Sequence, residues 1–156
     1  MPIIGNAAPT LSLLSHEGKQ TTLEDYQGKW VILYFYPKDD TPGCTVEACD
    51  FSSLHEQLSS CNAVVIGVSP DSVESHQAFI EKHKLKVTLL SDPEKNTLKA
   101  YKAWGVKKNY GKEYEGVIRS TFIISPDGML AHVWHNVRAK GHADRVRSKL
   151  EELQTI

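Results

Sequence analysis

The 156-residue chain has little cysteine, no charge excess of either sign and no long apolar run. Three cysteines are too few, and too oddly numbered, for a secreted disulfide framework, so any disulfide here is expected to be transient and catalytic. The 18 Lys and Arg are intermixed with 19 Asp and Glu, for a net charge of -1. That balance provides no broad field to hold a polyanion or a membrane surface, and neither nucleic acid nor membrane is expected as a partner. No apolar segment approaches the roughly twenty residues of a membrane helix, and Met1 to Gly5 runs into ordinary strand and turn residues rather than a charged-then-apolar leader. A cytoplasmic protein is the resulting expectation. Internal repeats, low-complexity tracts and linkers are missing too, and the even spread of apolar segments predicts one domain over residues 1–156.

What the chain does have is a sharply defined stretch near residue 40. Trp30-Val-Ile-Leu-Tyr-Phe-Tyr36 is unbroken, β-branched and aromatic, the pattern of a strand buried on both faces. Pro37 ends it. Thr41 is placed as an N-cap and Pro42 at the first helical position, and from Ala48 the apolar residues Phe51, Leu54 and Leu58 recur at helical spacing. Cys44 therefore falls in the first turn of a helix that leaves a central strand.

The remaining elements follow from similar cues. Leu11, Leu13, Gln20 and Thr22 around the His16-Glu-Gly18 turn predict an N-terminal β-hairpin. Residues 63–68 predict a second buried strand, Ser69-Pro-Asp-Ser72 a cap for a helix reaching about Lys84, and residues 87–90 a short strand. A helix carrying Leu98 and Tyr101 is expected to start at Ser91-Asp-Pro93 and stop near Gly105. Residues 107–116 hold two glycines, two tyrosines and three lysines without apolar periodicity and read as a surface loop. Two strand-like runs, 117–125 and 129–135, meet at the Pro126-Asp-Gly128 turn, and Val146, Leu150 and Leu153 mark a last amphipathic helix. This order, β-α-β-α, an inserted β-α pair, then β-β-α, predicts an α/β fold with a central mixed sheet flanked by helices.

A free thiol has a pKa of about 8.5, and only the thiolate is nucleophilic. The first turn of a helix presents unpaired N–H groups and a partial positive charge, which stabilise a thiolate at Cys44. Asp39 and Asp40 oppose this unless they point away, so a compensating cation is needed, and Arg119 is the candidate. The competing reading, a small buried hydrophobe, does not require a Thr-Pro-Gly approach to the cysteine. Cys49 has a competing reading too, as a packing residue of the helix. If residues 44–49 are helical, their geometry sets the two Cα atoms roughly 8–9 Å apart with side chains about 140° apart. A disulfide needs Cα atoms within roughly 7 Å, so the pair can be bridged only if the first turns unwind.

Pro37-x-x-x-Thr41-x-x-Cys44 resembles the active-site signature of the peroxiredoxins, and Tyr36-Pro37, Thr41-Pro-Gly-Cys44-Thr45, Glu47 and Cys49 resemble the bacterioferritin comigratory protein or peroxiredoxin Q subgroup. The likeness extends over essentially the whole chain, through Gly5-Asn-Ala-Ala-Pro9, Leu90-Ser-Asp92, Trp104-Gly105 and Arg119-Ser-Thr-Phe122. It implies a thioredoxin-like fold with an N-terminal hairpin and an inserted β-α pair, and a peroxidase acting on hydrogen peroxide and organic hydroperoxides. It further implies Cys44 as peroxidatic nucleophile, Cys49 as resolving cysteine, Thr41 and Arg119 as groups that bind and polarise the peroxide, and Pro37 as a shield for the sulfur. Thioredoxin or a similar dithiol protein is the implied reductant, and a monomer or weak dimer the implied assembly.

Cys61 lies outside the motif and is expected to be a half-buried bystander. No cofactor is implied. A metal is not expected either: His132 and His135 are three apart on a predicted strand, His76 and His83 share a helix face without a third ligand, and Cys49, His55 and Cys61 lack zinc-ligand spacing. A general dithiol oxidoreductase is disfavoured by the cysteine spacing, and a non-catalytic redox sensor would differ by showing single oxidation without turnover.

Overall fold

The computed structural model describes residues 2–155. Its centre is β3 (Trp30–Phe35), whose residues after Trp30 are all buried. Successive side chains of a strand point to opposite faces, and β3 feeds two cores in this way. Ile32 and Tyr34, with Tyr36 just beyond the strand, pack with Cys44, Ala48 and Phe51 of α1 (Pro42–Ser53), while Val31, Leu33 and Phe35 pack with Leu98, Tyr101 and Phe122 on the other face. A strand covered on both sides needs no polar alternation, which is why its sequence is a continuous apolar run.

The N-terminal hairpin forms as expected from β1 (Ser12–Ser15) and β2 (Gln20–Thr22). After α1 the chain breaks at Leu54, runs through α2 (His55–Ser60), and enters β4 (Ala63–Ser69), parallel to β3. Helix α3 (Val73–His83) is capped by Ser72, whose hydroxyl accepts from the Ser75 N–H. It leads to β5 (Thr88–Ser91) and the short α4 (Asn96–Ala100). Beyond these lie β6 (Trp104–Asn109), β7 (Lys112–Val117), β8 (Ser120–Ile124), β9 (Leu130–Trp134) and α5 (His142–Gln154). The main sheet has seven strands in the order β2-β1-β5-β4-β3-β8-β9, parallel at β3-β4-β5 and antiparallel elsewhere. Gly67 of β4 lets Tyr34 lie across the sheet, since a Cβ there would meet the Tyr34 ring and hydroxyl at 2.7 and 2.8 Å.

Three expectations need correction. Residues 107–116 are not a loop: β6 and β7 pair antiparallel as a separate two-stranded ribbon. Lys112 to Glu115 are exposed, so nothing forces the apolar alternation by which a half-buried strand is recognised. The run 117–125 is not one strand: Val117 ends β7 and β8 begins only at Ser120. The chain turns at Ile118 and Arg119, where the Ile118 N–H donates to the Ala103 carbonyl and the Arg119 carbonyl accepts from Val137. Finally, α4 starts five residues after Ser91 and ends well before Gly105, which belongs to β6. Asp92 spends its carboxylate on the Leu98 N–H, and Lys95 adopts a left-handed conformation (φ 67°) that delays the helix.

Candidate active site

The site lies where β3 hands the chain to α1. Thr41 occupies the N-cap position with extended backbone, Pro42 follows inside the helix, and the first N–H of the turn to find a backbone partner is that of Thr45, bonded to the Thr41 carbonyl at 2.8 Å. Helix geometry leaves the N–H groups of Gly43 and Cys44 without intrahelical acceptors. The Thr41 hydroxyl does not cap the helix as expected; it donates to the Lys38 carbonyl at 2.8 Å, which ties the turn 38–41 and leaves the hydroxyl oxygen able to accept. Pro37 is half-buried between the end of β3 and this turn.

Cys44 is buried at 1 % exposure, with a free thiol. Arg119, at the turn between β7 and β8, reaches it: Nη2 donates to Sγ at 3.2 Å while Nη1 donates to Glu47 Oε1 at 2.5 Å. The fork of the guanidinium thus joins the sulfur to a carboxylate one turn along the same helix. Gly43 permits this approach, because a Cβ there would sit 3.3 Å from Arg119 Nη2. Burial alone would weaken the guanidinium's charge, but Glu47 and Cys44 outweigh it and hold Arg119 protonated above its ordinary range. Glu47 is wholly buried and its Oε2 has no hydrogen-bond partner among the described residues. Burial pushes its carboxyl up to about 7 against the opposing pull of Arg119.

The two acidic residues that would oppose a thiolate at Cys44 are engaged by α3 instead. Asp39 is engaged by His76, and Asp40 by Lys82 and His83. Asp39, Asp71 and His76 also bring ligand-type atoms within 4.8 Å of one another, the one such group of three among the described residues. Tyr36, Ser75 and the Asp39 N–H already donate to those carboxylates, so the group is a hydrogen-bonded junction.

Of the residues singled out from sequence, Cys44, Arg119, Thr41 and Pro37 converge at this end of β3. Cys49 does not reach Cys44: α1 is continuous through both, Cys49 is half-buried against the core, and its thiol is pushed up by burial and by Asp50. Cys61 stands at the C-cap of α2, half-buried, its carbonyl accepting from Gln154. Sequence reasoning did not assign a role to Glu47, although its place three residues after Cys44 puts both on one helix face. It also missed Asp39–His76, for which residues 37 apart carry no local signal.

A family profile, that of the AhpC/TSA family, matches residues 4–133. The chain belongs to the AhpC/TSA family. It is 49% identical over 150 residues to peroxiredoxin Bcp of Bacillus subtilis, covering 96% of each chain, and 50% identical over 147 residues to a putative peroxiredoxin bcp of Helicobacter pylori, covering 94% of this chain and 97% of that one. Among solved structures it resembles the bacterioferritin comigratory protein of Xanthomonas campestris, studied for alkyl peroxide reduction (TM-score 0.87, 41% identity, 91% and 90% covered). It likewise resembles a mutant of Xylella fastidiosa PrxQ (TM-score 0.93, 36% identity, 99% and 98% covered). These neighbours are thioredoxin-fold peroxiredoxins, and the mixed sheet flanked by helices here is the same architecture. Peroxiredoxins are thiol peroxidases, so this AhpC/TSA chain is an oxidoreductase whose chemistry is cysteine-based reduction of peroxide at the expense of a thiol reductant.

Proposed function

We propose that the whole chain, acting as one domain, reduces hydrogen peroxide and organic hydroperoxides through a Cys44 sulfenic acid that Cys49 resolves. The observation that carries this reading is the 3.2 Å bond from Arg119 Nη2 to Cys44 Sγ at the open start of α1. The thiolate attacks the terminal peroxide oxygen; the O–O bond breaks, sulfur is oxidised to the sulfenic acid, and water or alcohol leaves once protonated. Arg119 and the Cys44 N–H are positioned to stabilise the charge that develops on the leaving oxygen, and the free lone pair of Thr41 to accept from the peroxide O–H. Pro37 keeps water from the sulfur.

The Cys49 thiolate then attacks the sulfenic sulfur and expels hydroxide, which leaves as water once protonated, closing a disulfide that requires residues 42–49 to leave their helical path. A dithiol protein of the thioredoxin kind supplies two electrons to reopen it. The chain acts in the cytoplasm as a monomer or weak dimer; no helix among the described residues is long and apolar enough to cross a membrane. Cysteine-to-serine variants test the scheme by stopped-flow fluorescence and thioredoxin-coupled turnover. Cys44→Ser abolishes the peroxide phase, Cys49→Ser keeps it but stops turnover, and Cys61→Ser changes neither. Loss of turnover in Cys61→Ser with retention in Cys49→Ser would reassign the resolving role.

A further inference from the structure

Helix α3 grips the two residues that precede the catalytic turn. Asp39 is buried; its Oδ1 accepts from the Tyr36 hydroxyl at 2.6 Å, and its Oδ2 accepts from Ser75 Oγ at 2.8 Å and lies 2.7 Å from His76 Nδ1. His76 is fully buried, and its Nε2 lies 2.9 Å from the Leu90 carbonyl oxygen, which can only accept. The ring is thus held at both nitrogens, by the Asp39 carboxylate on one side and the Leu90 carbonyl on the other. From the same loop, the Asp39 N–H donates to Asp71 Oδ2 at 2.8 Å, which fixes the backbone as well as the side chain.

The next residue is held from the last turn of α3. Lys82 Nζ donates to Asp40 Oδ2 at 2.6 Å and His83 Nε2 lies 2.8 Å from Oδ1. Asp40 adopts a left-handed backbone conformation (φ 58°), which is unfavourable for a residue bearing a Cβ and persists only where the surroundings over-determine it. Thr41, the N-cap of α1, follows directly. The bonds from α3 thus oppose the relaxation of a strained residue that abuts the turn carrying Cys44.

We propose that α3 is a latch on the catalytic turn, in which Asp39–His76, assisted by Asp40 with Lys82 and His83, sets the population of wound α1 against the unwound form that joining Cys44 to Cys49 requires. These are positioning residues; none touches the reacting atoms. Only the disulfide half of the following test rests on the resolving role of Cys49.

The test is native-state hydrogen exchange of the reduced protein, read at the amides of residues 45–48, together with the rate of disulfide formation after one equivalent of hydrogen peroxide. Asp39→Asn removes the charge from a buried hydrogen-bonded pair, and the open population of α1 rises about tenfold, with the disulfide phase faster by the same factor. Asp40→Asn, which suits a left-handed backbone and leaves the interior alone, gives about a twofold rise that high salt reproduces in the wild type. Leu98→Ala, in the core on the other face of the sheet, lowers global stability but leaves the opening of α1 unchanged. Unchanged α1 exchange in Asp39→Asn, or an equal rise in Leu98→Ala, would overturn the latch. A shift in exchange without any Cys44–Cys49 disulfide would support the latch and overturn the role of Cys49 instead.

Discussion

Removing Arg119 separates two jobs that one guanidinium performs. Arg119→Met deletes the donor to Cys44 Sγ and strips the buried Glu47 of its counter-charge. On the catalytic side, loss of a preorganised donor aimed at developing negative charge costs about 10²–10³-fold in rate. On the stability side, breaking a buried pair is severe, about 3–5 kcal/mol, when a charge is left behind. Glu47 can avoid that cost by taking up a proton, since its carboxyl is already raised to about 7 and Arg119 is what holds it down. A carboxyl raised in the folded state favours folding least where it must ionise. Glu47 stays protonated in both folded proteins up to about pH 7, so the penalty of Arg119→Met is small and flat there; it grows as pH rises beyond 7, by up to about 1.4 kcal/mol per pH unit, because the variant must still bury a protonated carboxyl that wild type can ionise beside Arg119. Adding Glu47→Gln removes the buried charge and with it the extra pH dependence. The assays are urea unfolding across pH and the second-order rate of oxidation by hydrogen peroxide. The double variant is expected to regain stability at pH 8 without regaining rate. Recovery of rate in the double variant would refute the reasoning, because Arg119 would then matter only as the partner of Glu47.

Two further predictions concern other groups. Gly43→Ala sets a methyl 3.3 Å from Arg119 Nη2 while favouring the helix, so peroxide oxidation slows by at least severalfold with stability equal or higher, measured by stopped flow and thermal unfolding. His142 is buried, bonded through Nε2 to the Thr121 hydroxyl at 2.8 Å, and lowered to about 4 by burial, Arg145 and Arg119. A depressed histidine leaves stability intact above its unfolded value near 6.5 and loses it as pH falls toward 4, so denaturant midpoints decline across that window and the decline flattens in His142→Gln.

The elements buried on both faces were the ones legible in the sequence. β3 and β4 read as strands because two cores act on them, and the start of α1 was legible because Pro42 suits the first turn of a helix; the Phe51, Leu54 and Leu58 spacing ran on past the break at Leu54 into α2. The β6–β7 ribbon was illegible for the opposite reason, since a strand with little to bury imposes no pattern. The site divided along the same line. Cys44 and Arg119 were found through chemistry that demands a cation near a thiolate. The Thr41 hydroxyl donates to the Lys38 carbonyl and makes no bond to the helix donors, a tertiary detail without a local sequence signal, and His76 could not be matched to Asp39 until β4 and α3 brought them together.

The central claim is that the helix start which activates Cys44 also holds Cys49 out of reach, so that catalysis must unwind it. Peptide mass spectrometry and far-UV circular dichroism after one equivalent of hydrogen peroxide address this directly. The account predicts an intramolecular Cys44–Cys49 disulfide accompanied by loss of helix, both reversed by a dithiol. A disulfide through Cys61, or a Cys44–Cys49 bond formed with α1 intact, would contradict it.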